Sequence, residues 1–133
     1  MREPWSHTGR ELELMLAGRK PLAAFCVEAD ALPCEELIPE DAFSPFVQSK
    51  QMQRQDFDLQ SNTPSGAPVT LRLVMYALPG EEWRMSVMLK LMQALHSGGG
   101  WNETCERVEG SLLGYSDAEN DTHCAQRFRR VAP

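Results

Sequence analysis

The sequence is poor in the features that most often announce a function. No stretch reaches the ~18 consecutive apolar residues that a membrane-spanning helix needs. Met1 to Leu16 hold no apolar run of the ~7 to 15 residues typical of a secretion signal. Both absences lead to the expectation of a soluble, cytoplasmic chain with no membrane partner. Histidine is limited to His7, His96 and His123, and the four cysteines, Cys26, Cys34, Cys105 and Cys124, form no Cys-x-x-Cys pair. No spacing therefore sets a tetrahedral zinc site, and a reducing compartment keeps the cysteines as thiols. Basic residues are the minority charge: 13 Lys and Arg stand against 19 Asp and Glu, for a formal net charge of −6 and a pI near 5.0. Such a balance argues against nucleic acid as a partner, because phosphates are neutralised by clustered Lys and Arg. Arg127, Arg129 and Arg130 are the one basic cluster, and they suit the negative end of a helix dipole.

The motifs that carry chemistry also fail on inspection. Gly98-Gly99-Gly100 follows a helical pattern, with no Lys-Ser or Lys-Thr behind it, so it is not a phosphate-binding loop. Asp117, Glu119 and Asp121 alternate as a calcium loop begins, but Thr122 replaces the required glycine and Phe128 the bidentate acid. Nothing in the spacing calls for a cofactor or a metal. A Cys-His nucleophile pair would need His96 to meet Cys105 or Cys124 in space, which spacing alone does not decide.

What the chain does have is one dominant apolar segment. At 133 residues it is expected to form a single domain, 1–133, with a core that needs no disulfide. Pro79-Gly80 stops the preceding element, and Glu81 to Ser97 then reads as a helix closed by Ser97-Gly98. Stepping 100° per residue puts Glu82, Ser86, Lys90, Gln93 and Ser97 on one narrow polar stripe. The rest of the cylinder is apolar apart from Arg84 and His96. A helix so widely apolar must be covered on two sides, by a sheet and by another helix or a second subunit.

Around it, Thr8 to Ala17 reads as a short helix with Glu11 at a capping-box position, and Leu22 to Val27 as a buried strand. Asp30 to Pro45, with Pro33, Pro39 and Pro45, reads as an irregular connection with one helical turn at Glu35 to Leu37, anchored by Phe43, Phe46 and Val47. Gln51 to Gln60 and Pro68 to Leu78 alternate as two strands of a hairpin, with Arg72 facing Asp56 or Asp58. Asn102 caps a helix that buries Trp101, Cys105, Val108 and Leu112 and ends at Gly114. Ser116 and Glu119 begin another, whose apolar members are Ala118, Ala125 and Phe128. The resulting fold class is α+β: a small, mainly antiparallel three-stranded sheet packed against a long central helix, with further helices at both ends.

Function follows only as a class. The pattern favours a binding protein that acts as a homodimer, through the apolar central helix or an open sheet edge, with a further protein partner also compatible. The competing expectation is a carrier or enzyme for a small apolar or anionic ligand. Its pocket would be lined by Trp83, Tyr76, Met88 and Met92, with Arg84 or His96 as polar anchors.

Overall fold

The computed structural model describes residues 6–98 and 100–128. The expected roles of Arg129 and Arg130 lie outside the described residues. The elements run α1 (Glu11–Leu16), β1 (Leu22–Glu28), α2 (Glu40–Gln48), β2 (Gln53–Asn62), β3 (Pro68–Ala77), α3 (Trp83–His96), α4 (Glu103–Leu112) and α5 (Asp117–Phe128). The three strands form one antiparallel sheet in the order β1-β3-β2. Among the described residues, no helix is long and apolar enough to cross a membrane.

β3 lies in the middle because it is apolar on both faces, and its alternation sorts the core into two clusters. Leu73, Met75 and Ala77 join Leu22, Leu59 and Leu112 with Met85, Met88 and Met92 of α3. Val74 and Tyr76 point the other way, onto Met15 of α1, Phe43 of α2, Ala23, Ile38 and Met52. Helices therefore cover both faces: α3 and α4 on one, α1 and α2 on the other.

Two expectations need correction. Residues Glu40 to Gln48 are a helix rather than part of an irregular loop, although Pro45 lies inside it and cannot donate to the Asp41 carbonyl. Two effects offset that lost bond. The Glu35 carboxylate accepts the Asp41 and Ala42 N–H groups at 3.1 Å each, capping the helix from outside. Phe43 is fully buried and stacks on Tyr76 with ring centroids 4.1 Å apart. The first helix starts at Glu11 with Arg10 as its N-cap and no side-chain cap from Thr8, because the Glu11 carboxylate accepts the Gly9 N–H instead. Arg72 stands opposite Asp58 in register, while the ion pairs of that face belong to Arg54, which holds Glu40 at 2.6 Å and Asp56 at 2.8 Å.

The turn after α4 locks the fold together. Tyr115 N–H bonds to Gly110 O and Gly114 N–H to Ser111 O, a Schellman closure with Gly114 at φ +93°. This corner lies against the start of β1: a Cβ on Gly114 would sit 2.5 Å from Pro21 Cδ. The capping box of α5 forms as its sequence implies, with Ser116 Oγ accepting the Glu119 N–H and Glu119 accepting the Ser116 N–H.

Candidate functional site

The helix read as the core of the molecule leaves part of its apolar surface uncovered. Met85, Met88 and Met92 are buried, but Trp83 is 55% exposed and Val87 40%. One helical turn separates these two, so they form a ridge on the side facing α4. Val108 of α4, expected in the core, is 39% exposed on the same side. Its rotation outward has a cause. Glu106 points inward instead and is held there by Trp101 Nε1, His123 Nε2 and Arg127 Nε. Between the helices runs an open groove of about 580 Å³, lined by Trp83, Val87, Thr104, Val108 and Leu112.

Arg84 is built into this groove as a structural strut. Its guanidinium donates to the Glu81 carboxylate at 2.7 Å and to the carbonyls of Ser111 and Leu112 at 3.0 and 3.2 Å. A fixed positive charge thus satisfies the carbonyl end of α4 and complements the negative end of its dipole. The same guanidinium lies 4.7 Å from the Trp83 ring centroid, fixing the indole while leaving it exposed. At the rim, Arg107 bonds to Glu103 at 2.9 Å and Asp121 at 2.7 Å.

The remaining ligand candidates lie elsewhere. Tyr76 is on the opposite face of the sheet, under Phe43, where burial raises its phenol above the ordinary range. Met88 and Met92 are packed beneath the sheet. His96 bonds through Nδ1 to Ser61 Oγ at 2.9 Å, and it lies about 18 Å along α3 from Arg84. The structure brings together Trp83 and Arg84 at the groove, while Met88 and Met92 are buried in the core and Tyr76 and His96 lie elsewhere. No family model, curated protein or solved structure matches this chain. Its surfaces and polar clusters have to carry the functional argument.

Two buried polar clusters escaped the sequence reading. In the first, Lys20 is 2% exposed and its Nζ lies 3.0 Å from His7 Nδ1 and 2.7 Å from Leu113 O, with the Tyr115 ring 5.2 Å away. Burial lowers the lysine to about 8; burial and then the Lys20 charge lower His7 to about 4. A neutral imidazole accepting from an ammonium fits that pair. His7 also stacks on Tyr115 and donates its backbone N–H to the Tyr115 hydroxyl, so the cluster ties the N-terminal segment to the α4-α5 corner. In the second, the buried Glu106–His123 pair closes at 2.7 Å between α4 and α5. Glu109, one turn on, is raised to about 7, first by burial and then by the Glu106 charge. Among the described residues, no group of three or more His, Cys, Asp and Glu is placed to hold a metal. His96 is the last residue of α3, where it bonds to Ser61 of β2. The second cluster did leave a trace in the sequence, since His123 and Arg127 stand one helical turn apart on α5. Lys20 left none.

Proposed function

We propose that this chain is a single-domain cytoplasmic binding protein that works as a homodimer, with the α3-α4 face as the self-association surface. The observation that carries the reading is the joint exposure of Trp83, Val87 and Val108 around one groove. Contiguous exposed aromatic and branched apolar residues are the usual core of an interface, with polar residues at its rim. The charges of this face support self-association specifically. Arg84 pairs with Glu81, and Arg107 with Glu103 and Asp121, so the face is nearly neutral on a molecule of net charge −6. Two such faces meet without like-charge repulsion and with neither Arg84 nor Arg107 left unpaired. In a two-fold arrangement each copy's Trp83 enters the other's groove.

The small-ligand reading has less support. An anion at Arg84 would have to displace Glu81 or the two helix-end carbonyls, and those carbonyls repel it.

Native mass spectrometry and light scattering test the proposal. Wild-type protein is expected to be a dimer at the bare polypeptide mass. Val87→Asp and Val108→Asp are expected to give folded monomers with unchanged circular dichroism, because both positions are exposed in the single chain. A monomeric wild type, or dimers that both variants leave intact, refutes the proposal. An added mass that vanishes on denaturation would put the ligand reading ahead.

A further inference from the structure

On the other side of the sheet lies a second groove, of about 690 Å³, between α1 and the segment leading into α2. Its floor is apolar, formed by Leu12, Phe25 and Phe43, and its walls carry two exposed leucines: Leu16 at 47% from α1 and Leu37 at 57% from the 35–39 segment. The rim is acidic. Glu11 and Glu13 stand on one side, Glu35 and Glu36 on the other, and Arg10, the single cation among the described lining residues, is drawn to Glu13 at 3.4 Å. Part of that rim is held in place: Glu35 spans the first N–H groups of α2, and Glu11 accepts the Gly9 N–H.

We infer that this groove docks a segment of another protein that presents bulky apolar side chains flanked by lysine or arginine. Two leucines on opposite walls above an aromatic floor offer contact to apolar side chains from an open approach, and four carboxylates above them select cationic flanks. Charge distinguishes this surface from the α3-α4 face. The residual negative charge here, on an already acidic chain, opposes a second copy, an acidic peptide and nucleic acid alike.

The test uses full-length protein and a fluorescein-labelled amphipathic lysine-leucine peptide, with the matching glutamate-leucine peptide as control. Anisotropy measures affinity, and amide chemical-shift mapping locates it. The lysine peptide is expected to bind, to shift amides of residues 11–16 and 35–43, and to weaken as salt rises. Leu37→Ser and Glu36→Lys, both at exposed positions outside the core, are each expected to weaken it by about tenfold. Four results overturn the inference: no binding, equal binding of the glutamate peptide, shifts confined to α3 and α4, or variants that bind as wild type does. A fall in oligomeric mass on Leu37→Ser would also overturn it, by assigning the groove to a second copy.

Discussion

Gly114→Ala is expected to destabilise this protein far more than the addition of one methyl group to a turn suggests. Two separable terms contribute. Gly114 sits at φ +93°, where an L side chain is disfavoured by about 1–2 kcal/mol. The new Cβ would also lie 2.5 Å from Pro21 Cδ, about 1 Å inside ordinary contact, with Lys20 Cα at 3.4 Å. Neither the proline ring nor the backbone moves easily, so the overlap adds about 1–3 kcal/mol, the usual cost of overpacking. The sum is roughly 2–5 kcal/mol. For a chain of this length that lowers Tm by about 6–20 °C.

Gly66→Ala is the control. Gly66 has φ +89° but open space around it, so it tests the backbone term alone and should cost about 1–2 kcal/mol. Urea and thermal unfolding of the two variants give the difference directly. Pro21→Ala adds a double-mutant cycle: removing the ring should recover much of the overlap cost in the Gly114→Ala background. If Gly114→Ala is no worse than Gly66→Ala, or if the cycle is additive, the close approach of the α4-α5 corner to β1 is wrong.

Two further predictions concern buried charge. His7 is lowered to about 4 and Glu109 raised to about 7, and their contributions to stability run in opposite directions. Between pH 4 and 6.5 the unfolded chain binds the proton at His7 that the folded chain refuses, so His7 makes stability rise with pH. Between pH 4.5 and 7 the folded chain keeps the proton at Glu109 that the unfolded chain has lost, so Glu109 makes stability fall. The wild-type profile is expected to be nearly flat there. His7→Gln should leave a profile that falls with pH, and Glu109→Gln one that rises; parallel profiles for all three proteins in urea titrations count against the assignments. Arg84→Met should cost about 1–3 kcal/mol in the same assay, and Arg84→Lys should restore little, because an ammonium cannot span Glu81 and two carbonyls as the guanidinium fork does.

The alternation of Pro68 to Leu78 is enough to read the strand found at Pro68–Ala77, and the weaker alternation of Gln51 to Gln60 its hairpin partner, found at Gln53–Asn62. Both follow from a period of two imposed by the pleat. α2 was hidden because Pro45 argues locally against a helix, and the compensation comes from Glu35 and Phe43, through contacts a linear reading does not contain. The orientation of α4 was misread for a related reason. Val108 is more hydrophobic than Glu106, yet Glu106 is the buried one, because Trp101, His123 and Arg127 converge on it from outside its own turn. At the groove, Arg84 stood out as a charge inside an apolar arc, while its three acceptors, one of them three residues away and two on α4, were set by tertiary structure. Periodicity reveals which residues share a face; it does not reveal which faces find partners.

The two grooves lie on opposite sides of one sheet and differ in the sign of charge they tolerate. The α3-α4 face neutralises its arginines internally, so burial against a copy of itself leaves no ion stranded. The α1-α2 groove gathers four glutamates around apolar walls, so self-association through it would bring like charges together. Dimerisation through the first surface therefore leaves the second open, once per copy. A dimer so built presents two acidic grooves, and a partner with two basic apolar segments gains from the effective concentration of the second once the first is bound. The lysine-leucine peptide joined in tandem by a flexible linker should then bind the wild-type dimer more tightly than the single peptide does. Val87→Asp should abolish that gain while leaving single-peptide affinity unchanged, an outcome that neither surface alone can produce.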